Sequence, residues 1–149
     1  MDTTVTTNST PADLRMVALA RDRAAEVVVL PVREEPGRSV YAESTLMLVK
    51  SLRAEGVVAA YLHDADQRVF EAKKSAITEL VWIPLAVGLV TQATWDLIKG
   101  ALRKVGSRRL RVDYTRLEVG DGLATTWTVE GDPEAVLDVI DRLRDSGER

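Results

Sequence analysis

The chain has 149 residues, 46% of them hydrophobic and 29% charged, which fits a folded domain with its own core and excludes a disordered or wholly membrane-embedded composition. A net charge of −3 argues against a dedicated nucleic-acid binder, which is usually basic. With no cysteine and one histidine, disulfides, thiolate metal sites, cysteine nucleophiles and multi-histidine metal centres are all excluded, and no cofactor is expected.

In chain order, "MDTTVTTNSTPAD" has an early acid and no apolar h-region, so a cytoplasmic chain is expected. Residues 1–12 read as a disordered polar tail, ahead of a single α/β domain over 13–146. Asn8-Ser9-Thr10 matches a glycosylation sequon, which has no meaning without secretion. Thr10 and Pro11 suit a helix start, and Leu14, Val17 and Ala18 continue it at helical spacing over 11–24. The β-branched run "EVVVLPV" reads as a buried strand over 26–32, followed by a loop, "REEPGR". Ser39 is placed to cap a helix over 39–55 that ends at Gly56, with Ala42, Thr45, Leu48, Val49 and Leu52 on one face. "VVAAYL" gives a strand over 57–62. Strand, helix and strand make a βαβ unit, whose strands are normally parallel. A short strand over 68–72 is expected beside it.

The segment 80–95 has no charged residue and carries "LVWIPLAVGLV". Its flanks extend it into a helix over 75–105, closed by Lys99, Arg103, Lys104 and Gly106. "LRVDYTRLEV" alternates, with Leu110, Val112 and Tyr114 on one face, and predicts a strand over 109–119. "GDG" turns it into a return strand over 123–130, where Thr125, Trp127 and Val129 share a face and Trp127 can stack on Tyr114. Asp132-Pro133 opens a last helix over 132–145, with Val136, Val139, Ile140 and Leu143 as its apolar stripe. The expected fold class is α/β, a mixed α+β sandwich with one mixed sheet of about four or five strands.

A helix at 80–95 has three readings. It falls short of the ~20 apolar residues of a bilayer span, and it is interrupted by Pro84, Gly88 and Gln92, so membrane insertion is the minority reading. A helix apolar nearly all round must otherwise be buried in the core or covered by a partner. On that reading Trp82, Ala86, Val90, Ala93, Trp95 and Leu97 form an interface for self-association or a protein partner.

Candidates for chemistry are few. His63, Asp64 and Asp66 follow a strand, where α/β ligand sites lie, and could hold a hard cation or place a base; the same residues also suit a tight turn. Arg38 and Ser39 precede a helix start and could hold an anion, although Glu34 and Glu35 oppose it. Arg103, Lys104, Arg108, Arg109 and Arg111 form a local basic patch, which also suits helix capping and the solvent face of a strand. Ser39, Ser44, Ser51 and Ser75 have no nucleophile-elbow context.

Over 77–143, "LVWIPLAVGLV" and "LRVDYTRLEV...DGLATTWTV" make an apolar, glycine-containing segment, a hairpin and a short final helix. This order resembles small accessory proteins of actinobacterial conflict systems, and arginine supplying 15 of the 20 basic residues suits a GC-rich bacterial genome. The resemblance implies a non-enzymatic component that accompanies a separate effector. The expected function is a non-catalytic interaction or oligomerisation module of a bacterial cytoplasmic assembly. The alternatives are a membrane-active effector through 80–95, and a small hydrolase or ligand sensor around His63, Asp64 and Asp66.

Overall fold

The computed structural model describes residues 4–11, 25–71, 80–88, 90–105, 109–116 and 123–147. The order is β1 (Thr4–Pro11), β2 (Val27–Val29), β3 (Arg33–Glu35), β4 (Arg38–Ala42), α1 (Ser44–Ala54), β5 (Ala59–Tyr61), β6 (Arg68–Glu71), β7 (Leu80–Val87), α2 (Gln92–Val105), β8 (Arg109–Arg116), β9 (Leu123–Gly131) and α3 (Pro133–Gly147). The mixed α+β class is as expected. The strands form a six-stranded mixed sheet, β1-β9-β8-β7-β2-β5, and a three-stranded sheet, β3-β4-β6.

The largest correction concerns 80–87, which is not the start of a helix but the interior strand β7. It pairs parallel with β8 from Leu80↔Arg109 to Val87↔Arg116, and antiparallel with β2. Ile83, Leu85 and Val87 face the helices, and Ala86 packs with Val28 and Ala25 on the opposite side. A strand buried on both faces shows no alternation, so its sequence is the same unbroken apolar run that a buried helix gives. The β-branched Val81, Ile83 and Val87 favour the strand, and Pro84 would break a helix there. A strand residue sends its N–H and C=O to the same side. Pro84 gives its carbonyl to the Leu30 N–H (3.0 Å), so its missing donor faces the end of β2, and the β8 ladder is intact. The helix begins only at Gln92, where the Thr91 hydroxyl accepts the Thr94 N–H (3.1 Å) as an N-cap. Its closing Arg103 and Lys104 stand where expected. Among the described residues no helix is long and apolar enough to cross a membrane. The membrane-active alternative therefore loses its helix.

Two further segments depart from expectation. Residues 4–11 are strand β1, paired along its length with β9, in place of a disordered tail. Its threonines and valine are β-formers that read as merely polar out of context. Residues 38–42 are strand β4 rather than the first turn of a helix. The loop "REEPGR" is a β3–β4 hairpin whose two-residue turn has Pro36 followed by Gly37 at φ +78°, the order a type II turn requires. The helix α1 therefore starts at Ser44, without a side-chain cap from Ser39. Its end matches expectation: Gly56 adopts φ +83°, and its N–H reaches the Arg53 carbonyl while Val57 N–H reaches that of Leu52, a Schellman closure.

β2 and β5 are parallel, as the βαβ pattern requires. The strand expected over 68–72 exists as β6, but it pairs with β4 in the small sheet and not beside β5. The helix expected over 11–24 lies outside the described residues except for Pro11, as do the "GDG" turn and residues 75–79. The three helices among the described residues pack on one face of the large sheet. There Leu48, Leu52, Trp95, Ile98, Leu102, Leu137 and Ile140 meet Val27, Ile83, Leu85, Leu110, Val112 and Val129. Tyr114 stacks on Trp127 with centroids 5.8 Å apart, as the hairpin pattern anticipates.

Candidate functional site

The lone histidine sits just past β5, and the small sheet brings its partners to it. β4 supplies Tyr41, which is fully buried, and β3 supplies the half-exposed Glu34. The His63 backbone N–H donates to the Tyr41 hydroxyl (3.1 Å), so the phenol proton is free to point at Nδ1, 2.9 Å away. In a neutral ring the other proton then sits on Nε2, 2.7 Å from a Glu34 carboxylate oxygen. A carboxylate, an imidazole and a phenol thus form a chain from solvent into the core. Tyr61 and Phe70 wall it, edge-on and tilted against Tyr41 at 5.3 and 5.8 Å, and the Arg68 guanidinium caps Tyr61 at 4.2 Å.

Glu34, His63 and Tyr41 have the order of an acid–base relay, but its last member is a buried phenol that is not presented to a substrate. The arrangement fixes the orientation of the His63 ring between β3 and β4. Asp64 and Asp66 do not join it. They lie exposed at the entry to and within a 3₁₀ turn, Ala65–Gln67, whose Gln67 N–H returns to the Asp64 carbonyl (3.0 Å). Among the described residues no three His, Asp or Glu side chains converge as a metal site. Tyr41→Phe is expected to leave the His63 N–H and Nδ1 without this partner. It should lower stability by about 1–3 kcal/mol in urea unfolding, the usual cost of a buried polar group losing its hydrogen bond.

Burial pushes the Tyr61 phenol above its ordinary value of 10, against the opposing pull of Arg68 and Arg53. A phenol with a raised folded-state pKa stabilises fully below the unfolded value and loses that contribution as pH rises through the folded value. Alkaline unfolding curves should therefore fall more steeply for the parent chain than for Tyr61→Phe, and absorbance at 295 nm should lose one phenolate step that lies above the ordinary tyrosine value in that variant.

The expected anion position at Arg38 and Ser39 is not formed. Ser39 is buried within β4, and Arg38 is held by Glu35 at 2.7 Å. That guanidinium keeps the Glu35 carboxyl below the usual carboxylate range. Nor is the basic patch a single surface. Arg103 and Lys104 end α2 on the helix side, and Arg109 and Arg111 stand on the opposite face of β8; Arg108 lies outside the described residues. Arg103 meets Glu134 (2.9 Å), Arg109 meets Glu130 (2.9 Å) and Arg111 meets Asp113 (3.2 Å). Beside them Trp82 donates to Asp113 (2.7 Å) under the Arg111 guanidinium.

No family model, curated protein or solved structure matches this chain. Function rests on geometry alone.

The expected interface Trp82, Ala86, Val90, Ala93, Trp95 and Leu97 does not exist as one face. Trp82 and Ala86 lie on a strand, Ala86 and Trp95 are buried, Val90 and Leu97 pack against the core, and Ala93 is exposed. Sequence reasoning missed Tyr41 and Asp113. Each is paired with a residue 22 to 31 positions away, and no local spacing marks such contacts. It also missed β1, whose residues 4–7 are exposed.

Proposed function

We propose that this chain is a non-catalytic interaction module of a bacterial cytoplasmic assembly, and that it engages protein through the open edge of its large sheet. The observation that carries this reading is β1. It is an eight-residue edge strand, Thr4–Pro11, without a charged side chain, hydrogen-bonded to β9. Exposed edges of this kind are templates for another strand, and chains that avoid such pairing place lysines, bulges or prolines along them. Here the proline stands only at the end. This role replaces the apolar-helix interface that the sequence suggests, and it suits an accessory component better than an enzyme. A hydrolase or sensor at His63 has less support, because Tyr41 and Glu34 already engage both ring nitrogens.

The test is gel filtration of a host lysate in which the tagged full chain was chemically cross-linked inside the cells before lysis. An interaction module elutes well above its 16.4 kDa monomer mass. Elution of all the chain at the monomer position overturns the reading.

A further inference from the structure

We infer that the partner of β1 is β1 of a second copy of this chain, paired antiparallel about a two-fold axis so that two six-stranded sheets become one of twelve strands. This rests on the interaction-module reading above and adds the identity of the partner.

The four sheet edges among the described residues differ in a way that selects β1. The small sheet ends in β3, with Arg33, Glu34 and Glu35, and in β6, with Arg68 and Glu71. These edges are three and four residues long and carry charged side chains that already pair with one another, Arg33 with Glu35 and Glu71, so they offer a second strand less than β1 does. The far edge of the large sheet, β5, is three residues long. β1 is uncharged, and its eight consecutive pairs with β9 contain no bulge, so its outer edge is straight for about 26 Å at ~3.3 Å per residue.

The side chains argue for an identical partner over a foreign one. Thr4 and Thr6 share one face and Val5 and Thr7 the other, all four exposed. These are short, mostly polar groups that neither fill an apolar pocket nor read a charge. What they leave for recognition is strand length and direction, and a two-fold axis matches both automatically. Val5, 46% exposed beside Val129, loses that exposure against the second strand. One edge of this length buries less than a standard interface, so the dimer is a reversible, micromolar one.

The test uses the purified full chain. Sedimentation velocity across a concentration series should show a monomer–dimer equilibrium. Thr6→Lys should weaken it roughly five- to tenfold while the melting temperature measured at the lowest concentration stays near that of the parent. The chain has no cysteine, so single cysteines introduced from Thr4→Cys through Ser9→Cys report position directly. Antiparallel two-fold pairing places only the one or two residues nearest the axis opposite their own copies, at ~4.5–5.5 Å between Cα atoms, within disulfide reach. Cross-linking confined to one or two adjacent positions supports the dimer. A purified chain that is monomeric at every concentration overturns it, and so does a dimer indifferent to Thr6→Lys with no cross-link in this series. If the purified chain is monomeric while the lysate complex persists, the second copy is the wrong partner and the interaction module stands. Monomers in both experiments overturn both.

Discussion

Ile83→Asp is expected to abolish the cooperative melt of the chain, while Trp82→Tyr, one residue away, leaves it almost intact. Ile83 is fully buried in β7, opposite Val112 of β8, beneath the helices. A carboxylate there has no partner and no water. An uncompensated buried charge costs about 3–5 kcal/mol, and the lost side-chain burial adds about 2 kcal/mol. Together they match the lower part of the ~5–15 kcal/mol that holds a domain folded. Trp82 points to the other face and is half-buried, with its indole N–H on Asp113 and its ring under Arg111. Tyrosine keeps the ring and loses mainly that hydrogen bond, a cost of about 1 kcal/mol. Urea unfolding followed by circular dichroism measures both. The contrast between neighbours is a property of strand geometry, in which adjacent side chains face opposite ways.

Trp95→Ala is the second large effect, at about 3–5 kcal/mol, the range for emptying a large aromatic site. Trp95 is fully buried between α2 and the sheet, tilted against Tyr114 at 6.3 Å. Its indole N–H donates to Asp141 of α3, which also receives Lys99 (3.0 Å), and the buried Arg144 lies over the ring at 4.7 Å. One side chain thus fills the core and joins α2 to α3. Trp95→Phe keeps most of the volume and should cost about 1–2 kcal/mol, because Asp141 retains Lys99 as a partner. Melting temperatures of the two variants separate the packing contribution from the polar one.

How much of this was legible depends on where the partner of each residue lies. The β8–β9 hairpin and α3 could be read directly, since Leu110, Val112 and Tyr114 alternate on one strand, Thr125, Trp127 and Val129 on the next, and Asp132-Pro133 marks the helix start. Those signals are local. The run 80–87 was legible as core and illegible as strand, because burial on both faces erases the alternation that distinguishes the two; the β-branched Val81, Ile83 and Val87 favoured a strand, while Pro84 and Gly88 told only against a continuous helix. Ser39 read as a cap because Arg38–Ala42 becomes a strand only by pairing with Arg68–Glu71, far along the chain. β1 was hidden for the same reason, since its partner is the penultimate element. His63 does not meet its neighbours in sequence, Asp64 and Asp66, which lie exposed in the turn that follows. Glu34 and Tyr41 reach it through β3 and β4, and that placement depends on the small sheet having formed.

The placement of 80–87 inside the sheet decides the rest, because it removes the apolar helix as an interface and moves the proposed contact to β1, an edge of the large sheet among the described residues. Proton NMR of the labelled full chain tests it most directly. Strand pairing predicts interstrand nuclear Overhauser effects linking Trp82 with Arg111 and Val28 with Ala86, together with extended-backbone Cα shifts from Leu80 to Val87. Sequential amide contacts and i to i+3 connectivities running through Trp82, Leu85 and Gly88, with helical Cα shifts, would contradict it.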